Sequence, residues 1–580
     1  MKQISAIPDL PIPTLEQTLS LYLSRIKPLL SEETFKEQEQ VAKKFLTHTT
    51  LDSQLLKYAS EIHGSWLKPT WDKSYLDYRD ELNSGMNYGT VLKLPLEVQG
   101  RSHFYGLIVT ALARIFKEIS ENDLPADQIK NRPLSMEQYQ NIFAACRIPM
   151  AGQDRLRIAG PRDRHHIIVL YQQNMYVVDI DLENLDLNPI ISQLDLILNQ
   201  NHEPQPNIGI MTTAKREDAA KIRQSLMDHD FQNSLNFETI ETALFALCID
   251  EAEPMSEAKH VHRVLHGQSK NRFFDKSVQV IAGHDYTVGF NNEHTGFDGS
   301  VWINILHKMC RQLDDLQKIK PISQKAEIRR LQWQLPEGLS QVLEELKKKD
   351  RLRGEELEIT LLDFDPFGTK TIKGCQTSPD AFFHLALQLA WYRMHGSLTS
   401  TYEAVAMRHF FQGRTECMRP CTSEVLNFVQ FFEKGSKTDL SKAGELARTA
   451  LEKHVAGLKE CQAGQGPERH LTGMQAMINE NTSEVETALF KSEGYRRLKH
   501  DTLSTSGLSF EPMMAFAFAP VVNDGFGIGY NLGPDKLSVC LTSFGQKEAL
   551  LRLKNELALA MEDLKQLLTG VIEQEKSMSA

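Results

Sequence analysis

Apolar residues in the N-terminal part of the chain recur at helical spacing. They fall on one face over residues 15–26, where Thr14 can cap the helix and Pro28 can kink or end it. The same period returns over residues 102–119. We therefore expect residues 1–95 to form a mainly helical segment that packs on the C-terminal half.

The next part of the chain alternates short β-branched runs with helical patterns. Four runs are typical of strands: 167–171, 175–180, 207–212 and 243–249. The first two are joined by Gln-Gln-Asn and predict a hairpin, and a helix is expected over 216–228. This alternation predicts an α/β domain over residues 96–330.

The second half of the chain repeats the alternation. A helix predicted over 300–316 leads into a Lys-rich polar stretch at 318–325, the candidate boundary between the halves. The elements predicted beyond it are a strand at 357–364, helices at 379–394 and 422–434, a strand block at 513–544 and a final helix at 546–573. A second α/β domain over 331–580 would leave a cleft between the two, where ligands commonly bind.

Charge and length narrow the classes of function. At 580 residues the chain is long for one core, and its net charge of −11 argues against nucleic-acid partners, which need a basic contact face. No apolar run reaches the ~20 residues of a membrane helix, and no signal, transit or peroxisomal sequence is recognised. We expect a cytoplasmic protein.

The eight cysteines indicate neither disulfides nor metal. They include no CxxC pair, which is compatible with a reducing compartment. Cys417 and Cys421 have helical spacing near His409, but this set matches no metal signature and packing explains it better. The prediction is that no metal is bound.

One histidine is a candidate for catalysis. A β-like run over 288–292 ends at Glu293-His294, and Asp298-Gly299 follows. An imidazole titrates near physiological pH and can remove a proton from a hydroxyl nucleophile. On their own, these residues are more typical of a histidine at a strand end followed by an ordinary Asp-Gly turn.

Nine motifs along the chain resemble those of the carnitine/choline O-acyltransferases, in the same order and with comparable gaps. They are Leu10-Pro11-Ile12-Pro13, the run 271–277, Glu293-His294 with Asp298-Gly299, Ser378-Pro379-Asp380-Ala381-Phe382 with the run 386–390, Thr401-Tyr402-Glu403, Gly413-Arg414-Thr415-Glu416, Arg469-His470-Leu471, Ser504-Thr505-Ser506 and the run 520–527. The resemblance covers nearly the whole chain.

The resemblance implies a fold and a mechanism. It implies two chloramphenicol-acetyltransferase-like α/β domains with the active site in a tunnel at their interface. His294 would be the general base, Ser506 the donor to the oxyanion, and Ser504 and Thr505 would line the carnitine side. Asp298 would support the site by holding an arginine or the turn in place. On its own, the Ser-Thr-Ser stretch would be an ordinary strand edge or turn.

The resemblance also assigns an amino-alcohol site. Tyr402, Thr415 and Arg469 stand where carnitine enzymes hold the substrate carboxylate, whereas choline enzymes lack the arginine and carry an apolar residue in place of the threonine. Phe518 and Val521 match the wall around the trimethylammonium group, which an aromatic face can attract. Outside the family they would be a core aromatic and a strand valine.

Coenzyme A is the expected co-substrate, with no bound cofactor. Lys373 and Asp380 are in register with the family's coenzyme A residues. The chain has Phe367-Gly368-Thr369-Lys370 where the family has Phe-Gly-Lys, so Lys370 either replaces the missing lysine or is a solvated loop charge.

Acyl-chain length depends on one position. Phe516 stands at the acyl gate, where long- and medium-chain enzymes have glycine and acetyl enzymes have methionine. A bulky residue favours short to medium chains, although the run 526–530 resembles that of the palmitoyl enzymes.

The predicted function is acyl transfer between acyl-coenzyme A and L-carnitine by a monomer. The alternatives are a choline or other amino-alcohol acyltransferase, a long-chain carnitine acyltransferase and a non-catalytic acyl-coenzyme A sensor.

Overall fold

The computed structural model describes residues 7–579 except 161, 162, 164, 252–254, 268, 269, 284 and 435–438. Its helices are α1 Leu15–Ile26, α2 Glu32–His48, α3 Leu51–Glu61, α4 Lys68–Leu76, α5 Arg101–Ser120, α6 Leu187–Leu198, α7 Arg216–His229, α8 Phe231–Thr242, α9 Glu257–Leu265, α10 Gly299–Leu316, α11 Leu339–Glu356, α12 Thr369–Gly374, α13 Pro379–His395, α14 Ser423–Glu433, α15 Leu440–Gln462, α16 Pro467–Ala476, α17 Glu484–Lys491, α18 Glu493–Lys499 and α19 Lys547–Ser579.

Its strands are β1 Tyr88–Lys93, β2 Gln128–Ile129, β3 Arg132–Pro133, β4 Ala145–Ile148, β5 Arg155–Ile158, β6 His166–Tyr171, β7 Asn174–Asp179, β8 Ala246–Ile249, β9 Val278–Ala282, β10 Thr287–Asn292, β11 Arg329–Arg330, β12 Leu357–Phe364, β13 Thr401–Ala406, β14 Thr415–Met418, β15 Leu503–Gly507, β16 Met513–Phe518, β17 Phe526–Leu532 and β18 Leu537–Phe544.

Two large mixed sheets organise the molecule. The first has the order β11-β7-β6-β8-β9-β10-β1-β16, and the second has the order β12-β18-β17-β15-β13-β14. Helices α5, α6 and α10 contribute to the core on the first sheet, and α13, α14, α15 and α19 contribute to the core on the second. The predicted α/β class is confirmed.

Strand β16 joins the two sheets. It follows β15 in the chain but pairs antiparallel with β1, at the edge of the first sheet. It also packs against β17 of the second sheet, where glycine permits the approach. A Cβ atom on Gly529 would lie 2.0 Å from the Phe516 carbonyl oxygen, so any side chain there would separate the sheets.

The N-terminal helices lie against the C-terminal part of the chain. Helix α1 contacts α16, and α2 contacts α17. The predicted cap of α1 is present, since the Gln17 amide donates to Thr14 Oγ1 at 3.2 Å. Between the described ends of the chain, no helix has the length and apolar character needed to cross a membrane.

One predicted strand is wrong. Residues 207–212 were expected to form a buried strand, but Ile208–Thr213 is a buried 3-10 helix. The threonine hydroxyls turn back onto this segment, with Thr212 Oγ1 donating to the Gly209 carbonyl at 2.7 Å. Gly209 faces the backbone of Arg272, whose carbonyl would lie 2.0 Å from a Cβ atom. The β-branched residues correctly indicated that the segment is buried, whereas local hydrogen bonding determined its conformation.

The predicted 167–180 hairpin is confirmed as β6 and β7.

Candidate active site

A cavity of about 440 Å³ lies where β15 and β16 approach the segment after β10. The sequence-predicted residues that line it are His294, Asp298, Tyr402, Thr415, Ser504, Thr505, Ser506, Phe516, Phe518 and Val521. They come from both sheets and from the link between them. The fold therefore collects into one space residues that lie more than 200 positions apart.

His294 is held in one orientation. Its Nδ1 lies 2.9 Å from the Phe297 carbonyl oxygen, which can only accept, so Nδ1 carries the proton. The rings of Tyr75 and Tyr88 meet the imidazole edge-on, with centroids at 5.4 and 5.0 Å. Among the described residues Nε2 has no hydrogen-bond partner. Its lone pair is therefore available to a ligand in the cavity.

The surroundings of His294 favour a neutral ring. Burial lowers the pKa of the imidazole, Asp298 raises it, and the positive charge of Arg414 lowers it again, with a net pKa below the ordinary value. A histidine that stays unprotonated near neutral pH is competent to accept a proton.

Asp298 supports the turn and does not bond to the imidazole. Its Oδ1 lies 4.0 Å from His294 Nδ1, whereas Arg414 Nε lies 3.0 Å from both of its oxygens. Arg414 also donates to the backbone carbonyls of His294 at 3.1 Å and Thr295 at 2.9 Å. Gln138 donates to Asp298 Oδ2 at 3.0 Å. The carboxylate thus fixes an arginine that binds the backbone around His294.

A second buried arginine holds the other side of this loop. Arg147 Nη1 donates to Thr295 Oγ1 at 3.2 Å and lies 3.4 Å from Glu293 Oε1. Its Nε donates to Asp154 Oδ2 at 2.8 Å, so the charge is balanced inside the protein. The residues on both sides of His294 are therefore anchored.

The Ser-Thr-Ser stretch lies in strand β15, and its three hydroxyls are distributed over the two faces of the strand. Within the part of the chain that the structure describes, the hydroxyls of Ser504 and Ser506 have no hydrogen-bond partner, and both residues line the cavity. Thr505 also lines the cavity, but its hydroxyl lies 2.8 Å from the Tyr402 carbonyl and 2.9 Å from His384 Nε2. Alternation along a strand places this hydroxyl on the opposite face from its neighbours.

Tyr402 and Thr415 line the cavity, and Arg469, which does not line it, contacts both of them. Arg469 Nη2 lies 3.3 Å from the Tyr402 hydroxyl and 3.4 Å from Thr415 Oγ1, and its Nε donates to the Thr415 carbonyl at 2.7 Å. The guanidinium lies over the Trp71 ring at 4.6 Å. No described carboxylate forms an ion pair with Arg469, unlike the neighbouring Arg414. Against the lowering effect of burial, the nearby carboxylates of Glu416 and Glu468 raise the pKa of Arg469, but no described carboxylate forms a close ion pair with its guanidinium.

Three aromatic rings form another part of the wall. Phe516 is buried, with its ring 6.1 Å from that of Tyr88 and 5.7 Å from that of Phe518. Val521 is 51% exposed, which places it at a mouth of the cavity.

The predicted coenzyme A residues lie outside this cavity. Lys370 is exposed and pairs with Asp535 at 3.0 Å, and Lys373 is exposed on the same short helix, α12. Asp380 begins α13 and accepts from the Tyr530 hydroxyl at 2.6 Å. The structure does not bring these three side chains together with His294.

No sequence pattern indicated Tyr75, Tyr88 or Trp71 as site residues. All three come from the N-terminal segment, and they contact His294 or the arginines beside it. Tyr88 reaches the site because β1 pairs with both β10 and β16, which places it opposite Asn292 and Phe518. Tyr75 and Trp71 lie on α4, whose packing depends on tertiary contacts.

Comparison with known proteins identifies the family of the chain. The family model described as choline/carnitine O-acyltransferase matches residues 10–558. Carnitine O-acetyltransferase of Columba livia is 29% identical over 97% of this chain and 93% of its own length. Choline O-acetyltransferase of Danio rerio is 30% identical over 93% of this chain and 89% of its own length.

Among solved structures, the trichothecene 15-O-acetyltransferase TRI3 of Fusarium sporotrichioides is 9% identical, with a TM-score of 0.39 over 85% of this chain and 94% of that chain. The family match spans nearly the whole chain and includes every motif described above. The chain is therefore an enzyme of the choline/carnitine O-acyltransferase family.

Proposed function

We propose that the enzyme transfers short to medium acyl groups reversibly between acyl-coenzyme A and L-carnitine. The observation that carries the choice of carnitine is the Tyr402–Thr415–Arg469 cluster, whose guanidinium forms no close ion pair with a described carboxylate. Carnitine has a carboxylate that such a cation and two hydroxyls can bind, and choline has none. The relatives include enzymes named for each amino alcohol, so overall similarity does not decide between them.

The chemical step uses His294 as a general base. Its Nε2 takes the proton of the carnitine hydroxyl, and the oxygen attacks the thioester carbonyl carbon. A C–O bond forms, the C–S bond breaks, and the protonated imidazole returns its proton to the departing thiolate. The Phe297 carbonyl supports this role by keeping the other ring proton on Nδ1.

Ser506 is the proposed donor to the tetrahedral oxyanion, and Ser504 the proposed donor on the carnitine side. Both line the cavity, and neither hydroxyl is hydrogen-bonded to a described residue. A donor placed in advance costs no reorganisation during the reaction, and removal of one typically slows turnover ~10²–10³-fold. Attack is direct, so no acyl-enzyme forms.

Lys373, Lys370 and Asp380 are the proposed coenzyme A residues. The two lysines lie on α12, where ammonium groups exposed to solvent can meet phosphates. The ion pair between Lys370 and Asp535 competes with that role, which makes Lys373 the better candidate.

The proposed chain-length preference rests on Phe516. Its ring is buried between those of Tyr88 and Phe518 in the wall of the cavity, so a long acyl chain could pass only if the ring moved. Forcing extra methylenes into packed space typically costs about 1–3 kcal/mol.

A thiol-release assay tests the proposal. Acetyl-, octanoyl- and palmitoyl-coenzyme A are each offered with carnitine or choline, and free coenzyme A is measured. We expect release with carnitine and the shorter chains. Release with choline alone would identify a choline enzyme, preference for palmitoyl-coenzyme A would refute the gate, and absence of release with either alcohol would favour an acyl-coenzyme A sensor.

A further inference from the structure

Behind the cavity, outside the residues that line it, lies a buried cluster of titratable side chains. Helix α13 contributes Asp380 and His384, β13 contributes Glu403, and α15 contributes His454. Tyr530 of β17 covers them, donating to Asp380 Oδ1 at 2.6 Å. His384 is fully buried at the centre.

The hydrogen bonds around His384 define its protons. The Thr505 hydroxyl has one proton, and the Tyr402 carbonyl at 2.8 Å can only accept it. Thr505 Oγ1 must then accept from His384 Nε2, which lies 2.9 Å away. On the other side, Nδ1 faces the Asp380 carbonyl at 3.0 Å, which is again an acceptor only. Both ring nitrogens therefore carry protons, because two buried acceptor atoms that face each other without a proton between them cost free energy.

The cluster contains the matching negative charge. Burial raises the pKa of Glu403 well above its ordinary value, against the lowering effect of His384. Burial also raises the pKa of Asp380, but His384 and the hydrogen bonds from Glu403 and Tyr530 outweigh it and bring the pKa below the ordinary value. Burial lowers the pKa of His454 to about 4, so this ring is neutral and donates Nε2–H to Glu403 at 2.8 Å. Asp380 is thus the carboxylate that balances His384.

The same four residues offer atoms within 4.8 Å of one another that could ligate a metal. However, a ligating histidine needs a nitrogen lone pair directed at the ion. Here Nδ1 of His384 points a proton at the Asp380 carbonyl, and Nε2 is engaged with Thr505. The geometry favours a bound proton over a bound metal.

We propose that His384 is a buried imidazolium that positions the three parts of the active site relative to one another. Its Nδ1 holds the first turn of α13, where Asp380 lies. Through Thr505, its Nε2 holds both the Tyr402 backbone and the strand that carries Ser504 and Ser506. The residues proposed to bind coenzyme A, carnitine and the oxyanion are therefore linked through the imidazole ring of His384. This inference rests on the proposed function for its kinetic consequences, but not for the charge.

The first test measures the charge in the wild-type protein. With 15N-labelled histidine, the His384 signals are identified by their absence from the His384→Gln variant. We expect both ring nitrogens to be protonated near neutral pH. One unprotonated nitrogen, or a stoichiometric metal ion in the purified protein, would overturn the proposal.

The second test separates positioning from stability. Both His384→Gln and Thr505→Val should lower kcat roughly 10- to 100-fold, since small misplacements at a reacting centre cost that much. They should also raise KM for carnitine. The double variant should lose little more than the worse single variant, because both break one chain of contacts.

The control is His500→Gln, since this histidine is 48% exposed and pairs with Asp524 at the surface. Melting temperatures are measured for all variants. Additive losses, or a lower melting temperature with unchanged kcat and KM, would overturn the proposal. Should the wild type transfer no acyl group at all, the proposed function fails, while the 15N measurement still decides the charge of His384.

Discussion

Replacing Arg469 by asparagine tests the amino-alcohol assignment most directly. The side chain contacts the Tyr402 hydroxyl at 3.3 Å and Thr415 Oγ1 at 3.4 Å, and no described carboxylate pairs with it. The variant removes a charge-assisted contact with the carnitine carboxylate, typically worth about 1.5–3 kcal/mol. Because a loss of 1.4 kcal/mol weakens binding tenfold, KM for carnitine should rise about 10- to 150-fold. Choline lacks the carboxylate, so KM for choline should change by less than about threefold on the same scale.

The assay is thiol release at saturating acetyl-coenzyme A, with carnitine or choline varied. KM for acetyl-coenzyme A should stay near that of the wild type, because the deleted group faces the amino alcohol. Arg496→Asn is the matched control, since that arginine is 68% exposed and its ion pair with Glu493 lies at the surface. Arg469 also donates to the Thr415 carbonyl, so melting temperatures are compared. Equal losses with carnitine and choline would show that Arg469 has a structural role, and the carnitine assignment would lose its support.

The remaining predictions concern the catalytic histidine, its support and the acyl gate. His294→Ala should lower kcat at least ~10²-fold while calorimetry shows unchanged coenzyme A binding, and a smaller loss would argue against a general base. The base must be neutral and its pKa is lowered, so kcat/KM should persist as the pH falls and decline only below the ordinary histidine pKa of about 6.5. A decline of kcat/KM that begins at a pH above about 6.5 as the solution is acidified would contradict the lowered pKa. Asp298→Asn leaves Arg414 without its carboxylate, and denaturant unfolding should show a loss of roughly 3 kcal/mol, as is usual for a broken buried pair; unchanged stability would mean that the pair is not structural. Phe516→Gly should shift preference toward palmitoyl-coenzyme A, measured as the kcat/KM ratio of palmitoyl to acetyl substrates, and an unchanged ratio would place the acyl chain elsewhere.

Local pattern determined most of the secondary structure. The cap at Thr14, the 167–180 hairpin and the helix that follows Asp298 all appear in the structure, because each depends on side-chain period and on nearby residues. The segment 207–212 shows the limit. Its β-branched, apolar composition indicated burial correctly, but the backbone of Arg272, which lies close to Gly209 in this 3-10 helix, is not visible in a local window.

The motifs of the sequence also determined the family and named several of the residues that line the cavity. They could not show which face of β15 each hydroxyl takes relative to the neighbouring elements, so the contact between the Thr505 hydroxyl and His384 was not predicted. They could not show that Tyr75 and Tyr88 flank His294, since nothing local links residues about 200 positions apart.

Tertiary structure alone decided how the site is held. Strand β16 crosses to the first sheet because Gly527 and Gly529 let it pack closely on β17, and this crossing brings Phe516 and Phe518 toward His294. The positions of the charges depend on the same packing, because a buried cation is stable only beside its partners. Sequence order places Arg414 more than 100 residues from Asp298, and only the folded chain brings them to 3.0 Å.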